Sequence, residues 1–267
     1  MLKLTKENYY TAEADREYMS VSQYKNFVKC EAMAMARING ELRDEKSDAL
    51  LLGSYVHSWS DGTMEQFKSE NPELFSTRGA TKGQLKATFQ IGDLMIKTLE
   101  NDKMAMFALQ GDKEIIMTGE LFGLPWKIRM DVYNPQFGRF ADLKTVADLY
   151  KKQWHEEYGY CSFVEAYGYI TQMGVYSEIE RQNRGGDKWL ENYIVAVSKE
   201  TPPNKEIITI DHDSLTQELE KMEGKMKRIK LVKLGQLDPR RCEKCEYCRR
   251  TKQIRSVIHY SKLTAGA

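Results

Sequence analysis

One stretch constrains this chain more than any other: Lys127 to Thr145, reading KIRMDVYNPQFGRFADLKT. Two runs that read as short strands, Lys127–Tyr133 and Arg139–Thr145, flank Asn134-Pro135 and Gly138. Those are residue types that reverse a chain, so the stretch predicts a β-hairpin. Asp131 closes the first strand, while Asp142 and Lys144 stand two apart on the second and project from one face, because side chains alternate along a strand. Two carboxylates and an ammonium then converge near one point. Such a set suits a divalent cation such as Mg2+ or Mn2+, which takes hard oxygen ligands, commonly one or two carboxylates plus a substrate phosphate. Lys144 beside it would orient a water or neutralise charge building on a phosphate oxygen. A D-x-K tripeptide is common in a chain with 30% charged residues, and an exposed ion pair on an edge strand is the plain alternative.

The 267 residues, 41% of them hydrophobic, suit one large or two small domains of ordinary globular composition. No apolar run approaches the roughly 18 residues of a membrane span, and no secretory leader pattern is seen at the N-terminus, so a cytoplasmic protein without membrane contact is expected. The net charge of +1 gives no broad attraction for a polyanion. Any grip on DNA must come from local basic patches.

Along the chain, the polar, tyrosine-rich residues 1–18 predict an extended arm. Ser20 to Gln23 has the form of a capping box and predicts a helix to about Arg37, ended by Gly40, with Tyr24, Phe27, Val28 and Ala32 buried and Cys30 on it. After a charged segment, Glu41–Asp48, the run Ala49–His57 predicts a buried helix lifting an imidazole among apolar neighbours, where a lone histidine is ordinarily a satisfied core residue. Residues 64–110 predict helices broken near Asn71-Pro72 and Gly79. Their lysines 82, 86 and 97 read as a solvated face. Strands are then expected at Glu114–Thr118, in the hairpin, at Glu191–Val197 and at Glu206–Ile210. A helix from about Ser162 to Gln182 lies between the third and fourth, with Phe163, Ala166, Ile170 and Met173 buried. A second stripe, Glu165, Tyr169, Gln172 and Tyr176, forms either a partly exposed surface or the wall of a cleft beside Asp142. A last helix, about Ser214–Leu234, precedes a loose tail.

The expected fold class is α/β, a mixed central sheet of about five strands flanked by helices with the cleft at the carboxylates. One domain spans 1–267: a mainly helical part (1–110) carrying Cys30 and His57, a catalytic sheet and helix (111–212), a C-terminal helix and cysteine loop (213–250), and the tail (251–267). Five cysteines in a reducing compartment read as ligands or buried thiols. Cys242, Cys245 and Cys248 form C-x2-C-x2-C, a spacing that lets three thiolates wrap an iron–sulfur or zinc centre, with Cys30 and Cys161 as candidates for the fourth ligand. Three uncoordinated thiols are the plain alternative.

His57, Asp131, Asp142-Leu143-Lys144 and Gln172-x3-Tyr176 occur in the order and approximate spacing of the PD-(D/E)XK nuclease superfamily. The chain resembles its RecB-like branch: Gly53-Ser54-Tyr55-Val56-His57 is similar to that branch's G-x-x-V-H element, and Asp142-Leu143-Lys144-Thr145 to its D-Y-K-T element. From Ser20 to Cys248 the chain most resembles the phage-type exonuclease VIII (RecE-like) group. The resemblance implies a PD-(D/E)XK (restriction-endonuclease-like) core in which His57, Asp131, Asp142 and the backbone carbonyl of Leu143 hold the metal and Lys144 assists the attacking water. It implies that Gln172 and Tyr176 line the cleft and contact the DNA backbone or hold the carboxylates, and that Glu120 contributes through a water or a second metal. It further implies that Cys30 joins Cys242, Cys245 and Cys248 around a 4Fe-4S cluster, zinc being the rival, that clamps the chain ends and leaves Cys161 a bystander. Met130 stands where the superfamily's name has proline, and Ile254 where relatives with wider spacing carry the last cysteine.

The activity so implied is a metal-dependent 5′-to-3′ exonuclease on double-stranded DNA, leaving a 3′ overhang for a single-strand annealing recombinase, in a group where ring-shaped homo-oligomers are known. The alternatives are an endonuclease or end-trimming nuclease like the CRISPR-associated adaptation nucleases, and a non-catalytic DNA-binding or scaffold protein of the same fold.

Overall fold

Strands that are apolar on both faces need a layer of cover on each side, and the central strands of this chain are of that kind. The computed structural model describes residues 1–42, 47–254 and 256–263. Seven helices come first: α1 (Ala12–Glu17), α2 (Val21–Lys29), α3 (Glu31–Ile38), α4 (Asp48–Ser60), α5 (Met64–Glu70), α6 (Ala87–Glu100) and α7 (Lys103–Ala108). Strands β1 (Asp112–Leu121), β2 (Leu124–Asn134) and β3 (Arg139–Val146) follow, then a short pair, β4 (Gln153–His155) and β5 (Gly159–Cys161). Helices α8 (Phe163–Ala166) and α9 (Tyr169–Arg184), strands β6 (Glu191–Ser198) and β7 (Lys205–Ile208), and helices α10 (His212–Lys233) and α11 (Glu246–Arg250) complete the order. Residues 43–46 of the charged segment and 255 and 264–267 of the tail lie outside the described residues.

The five-stranded sheet runs β1-β2-β3-β6-β7. Only β3 and β6 are parallel, and α8 with α9 supplies the crossover that a parallel pair requires. Alternation along the strands then feeds two cores. Phe140, Ile194 and Ala196 pack with Trp126, Ile128 and Met130 under α2, α9 and α10. Ala141, Leu143, Val195 and Val197 pack under α4 and α6. In β2 the alternation slips: Met130 belongs to the first core and Val132, two residues on, to the second. Asp131 sits at the slip. Opposite it, Glu114 of β1 drops out of the ladder between Lys113↔Val132 and Ile115↔Met130, with a φ of 59° that non-glycine residues rarely adopt.

Several expectations are corrected. Residues 1–18 are not an extended arm. They include α1 and hold Tyr9 and Tyr18 buried, because two lysines distant in sequence donate into them. Lys127 donates to the Tyr9 carbonyl and to Asp15 Oδ1 (2.7 Å), and Lys233 donates to the carbonyls of Asp15 (2.7 Å) and Tyr18 (2.9 Å) and to Gln23 Oε1 (2.6 Å). Half of the capping box forms: Ser20 caps the Gln23 N–H, but the Gln23 amide turns to Asp15. The helix expected through Arg37 breaks at Cys30, whose extended backbone ends α2 and begins α3, and Val28 is 50% exposed. The helix from Ser162 breaks at Gly168, where φ is 64° and a Cβ would stand 2.9 Å from the Lys25 side chain. Asp131 does not end its strand, which continues to Asn134. Among the described residues no helix is long and apolar enough to cross a membrane.

Candidate active site

The β2–β3 ladder holds Asn134↔Arg139, Tyr133↔Phe140 and Val132↔Ala141, and there it stops. Continuing that register sets Asp131 opposite Asp142, a position at which Cβ atoms lie roughly 5 Å apart. Both carboxylates are buried, Asp142 to 2% exposure. The Leu143 N–H donates to Asp131 Oδ2 at 2.9 Å instead of to a neighbouring strand. Because the N–H and C=O of one strand residue leave on the same side, the Leu143 carbonyl faces the same gap.

Two buried carboxylates facing each other repel unless positive charge lies between them. Lys144 Nζ is ion-paired to Asp142 Oδ2, Gln172 Nε2 donates to Asp142 Oδ1 at 2.6 Å, and His57 Nδ1 stands 3.5 Å from Asp131 Oδ2. Burial raises the Asp142 carboxyl above its ordinary range, with Lys144 opposing and Asp131 adding to the rise. Burial would lower the Lys144 ammonium, but Asp142 and Asp131 outweigh it and hold its proton more firmly than in a free lysine. Tyr176 donates to the carbonyl of Arg129 (3.1 Å), two residues before Asp131, so it braces the strand that carries the acid. Glu165 does not share the Gln172 face. It turns back to Ser162 and completes the capping box of α8.

Three groups here carried no signal in the sequence reading. Glu114 enters through the kink in β1, pairs with Arg129 at 2.6 Å, and has its carboxyl raised by burial against the pull of Arg129. Asp61, one helical turn after His57, has its carboxyl pushed up to about 6 by burial, with Glu114 and Asp131 adding. Its Oδ1 is buried without a hydrogen-bond partner among the described residues. Lys25 points its ammonium at the Tyr167 carbonyl (2.7 Å), and burial followed by Lys144 lowers it to about 8. The His57-x3-Asp61 spacing was available as a clue, since residues four apart share a helix face. Glu120, by contrast, lies six residues along β1 from Glu114, is exposed, and exchanges backbone hydrogen bonds with the Gln182 side chain.

His57, Asp61, Glu114, Asp131, Asp142 and Lys144 line a cleft of about 1020 Å³, together with Tyr9, Tyr10, Lys25 and Arg37 but without Glu120. The donors present fit a hard divalent cation: an imidazole, two opposed carboxylates that a single ammonium leaves short of neutral, and a carbonyl facing the same gap.

The second constellation lies away from the cleft. Ligand sulfurs of Cys30, Cys242, Cys245 and Cys248 all fall within 4.8 Å of one another. Cys30 Sγ is 3.5 Å from Cys248 Sγ, and Cys242 Sγ is 4.0 Å from Cys248 Sγ. Burial pushes the Cys248 thiol up to about 12, whereas at Cys242 burial is outweighed by the N–H groups of Cys245 and Lys244, which bring it down to about 6. Cys161 stays apart, 3.6 Å from the Gln153 carbonyl, and Ile254 is exposed.

A protein-family model described as a PDDEXK-like domain of unknown function (DUF3799) matches residues 20–251. The crystal structure of a Eubacterium rectale protein, provisionally named an exonuclease, is similar to this chain at 42% identity over 100% of both chains, with a TM-score of 0.92. A second structure, titled SSO0001, reaches 12% identity over 85% of this chain and 91% of its own, with a TM-score of 0.23. No curated protein matches the sequence.

Proposed function

Because the chain belongs to this PDDEXK-like family, with its mixed sheet and opposed acids, we propose that it is a metal-dependent deoxyribonuclease, and more narrowly a 5′-to-3′ exonuclease on double-stranded DNA. One observation carries the reading: Asp131 and Asp142 face each other across the open end of the β2–β3 ladder, with Lys144 on one and His57 beside the other. The relative's provisional name points to the same reaction class.

His57, Asp131, Asp142 and the Leu143 carbonyl would hold the cation. When bound, Mg2+ or Mn2+ supplies Lewis acidity at a phosphate oxygen and lowers the pKa of a coordinated water. The rest falls to the chain. Gln172 fixes one oxygen of Asp142, so that carboxylate presents the other toward Lys144. Lys144 keeps its proton, and its role is to donate to the water or the phosphate oxygen on which charge builds rather than to act as a base. Tyr176 keeps β2 in place. The phosphodiester bond is cleaved by water, the water oxygen joining phosphorus as the sugar oxygen leaves.

Incubation with Mg2+ and either linear or covalently closed circular duplex DNA tests the reading. Loss of the linear DNA alone, with label at a 5′ end released first, is expected. Linearisation of the circle gives the endonuclease alternative. Binding without hydrolysis of either gives the non-catalytic one. A 5′-to-3′ product carries the 3′ overhang that a strand-annealing recombinase takes up.

For the cysteine centre, the sulfur spacing favours zinc. Two thiolates on one tetrahedral zinc, each about 2.3 Å from the metal, lie roughly 3.8 Å apart. The 3.5 and 4.0 Å separations match that, and a cubane, whose irons each take one thiolate, spreads its ligands further. Elemental analysis decides it: about one zinc per chain in a colourless preparation supports this reading, and iron with sulfide and visible absorbance restores the cluster.

A further inference from the structure

Between β3 and α8 the chain builds something that the cleft does not use. β4 and β5 pair apart from the main sheet, as Gln153↔Cys161, Trp154↔Tyr160 and His155↔Gly159. So short a ribbon is marginal alone, and it is held by α8, which packs against β4. Alternation puts Cys161 inward and buried, and Trp154 and Tyr160 outward. The two outward rings meet edge to face, 5.3 Å apart, and are 67% and 73% exposed. Neither is needed to cover the core.

The surroundings are set for an anionic, planar partner. Lys151 and Lys152 lead into the hairpin, and their ammonium groups make no ion pair among the described residues. Two of the nearby carboxylates are engaged: Asp148 accepts the N–H groups of Tyr150 and Lys151, and Glu157 pairs with Lys225 at 3.3 Å, while Glu156 in the turn makes no ion pair among the described residues. Aromatic contacts run from the cleft to α8, the helix that packs against the hairpin. Lys144 Nζ lies 4.9 Å from the ring centre of Tyr169. That ring in turn meets Phe163 at 6.1 Å and Tyr167 at 6.0 Å, at the two ends of α8.

We propose that the 153–161 hairpin binds single-stranded DNA leaving the cleft, a base stacking on Trp154 and Tyr160 while Lys151 and Lys152 hold the adjoining phosphates. The inference rests on the DNA-hydrolysing reading of the cleft, since removing one strand of a duplex leaves unstacked bases. Every base has a π face, so such a platform holds DNA without regard to sequence, as a strand-degrading enzyme requires.

The test uses the full-length protein and a short oligothymidylate with no added divalent cation. Tryptophan fluorescence should fall on binding in the wild type, and this quench should vanish in Trp154→Phe while affinity is largely kept. Affinity should drop about tenfold in the Trp154→Ala/Tyr160→Ala pair. Lys151→Gln should lower the slope of affinity against salt by about one ion. Unchanged affinity in the double alanine variant overturns the proposal, and so does a change in sedimentation without a change in affinity, which would make the hairpin a contact between copies of the chain. Hydrolysis of linear duplex in Mg2+ is followed in parallel. If it persists while oligonucleotide affinity is indifferent to the rings, the hairpin proposal alone fails. If the wild type hydrolyses nothing yet binds through the rings, the cleft reading alone fails.

Discussion

The cleft and the cysteine centre both gather residues from distant parts of the chain, by opposite means. In the cleft, Asp131, Asp142 and Lys144 ride on strands whose other residues, Met130, Phe140, Ala141 and Leu143, are locked into two cores. The backbone is placed before any ligand arrives. At the cysteine centre, Cys30 stands at a break between two helices, and its partners sit in a loop and the five-residue α11, with Ala32 and Met33 alone as further buried neighbours among the described residues. Apart from the thiols, the loop is tied down by Glu31, which takes Arg228 in two hydrogen bonds (2.8 and 2.9 Å) and the N–H of Arg240 at 2.7 Å. Deleting a side chain should therefore remove chemistry at the first site and cohesion at the second.

The largest effect expected on that comparison is at Asp142. Asp142→Asn keeps the shape and the Gln172 contact but removes the charge, and should lower Mg2+-dependent DNA hydrolysis by about 10³-fold or more while leaving the melting temperature within a few degrees. Activity near wild type would remove the cleft's chemical role, and loss of the folded state would erase the contrast between the two sites. Next comes Cys248→Ser. A tetrahedral thiolate site that contributes to folding should lose its metal, and the melting temperature should fall by roughly 10 °C, with hydrolysis at lower temperature reduced only a few-fold. Calorimetry with metal analysis checks it, and an unchanged melting temperature would make the four thiols incidental.

The same contrast governs what could be read from the sequence. The β2–β3 hairpin was legible because its signals are local: alternation, the Asn134-Pro135 turn, and Gly138 at a φ of 65°. With it came the Asp142–Lys144 pair, whereas helical spacing left the Gln172 stripe as either a partly exposed surface or a cleft wall, and it is the 2.6 Å contact with Asp142 that selects the second. The break at Cys30 was not legible, since the helix-favouring EAMAMARI would simply extend the preceding turn. It is a tertiary contact, the Ala32 N–H to the Arg240 carbonyl (3.0 Å), that accompanies the break. The N-terminal segment misled for a like reason, because its order comes from Lys127 and Lys233. Glu114 was read as an ordinary strand residue, since its place depends on register with β2 and on a backbone kink that no residue type announces.

Lys233 offers a third test, smaller and dependent on pH, because it ties the N-terminal segment that covers the cleft to α10, the helix leading into the cysteine loop. Burial lowers its ammonium to about 7, against about 10.4 in an unfolded chain. Between those values the unfolded state binds more protons than the folded one, so stability rises with pH across that window and is flat below it. The unfolding free energy of the wild type, from urea titration, should increase from pH 7 to pH 9 by up to about 1 kcal/mol per pH unit, and Lys233→Met should flatten the rise. An identical slope in the variant would show that the three acceptors around Nζ keep the ammonium charged.

The smallest effect separates two glutamates on one strand. Glu114 stands at the gap in the β1–β2 ladder opposite Asp131, holds Arg129 at 2.6 Å, and lines the cleft, whereas Glu120 lies roughly 20 Å further along β1 at the usual strand rise. Glu114→Gln preserves the volume and one hydrogen bond to Arg129 but removes a charge beside the two acids proposed to hold the metal. It should change DNA hydrolysis by about tenfold and move its dependence on Mg2+ concentration. Glu120→Ala should leave both unchanged, because its side chain reaches none of the groups in the cleft. If Mg2+ titrations of the two variants coincide, the kink at Glu114 serves the strand rather than the site. If only Glu120→Ala shifts the curve, the acid implied by the family resemblance acts from outside the cleft after all.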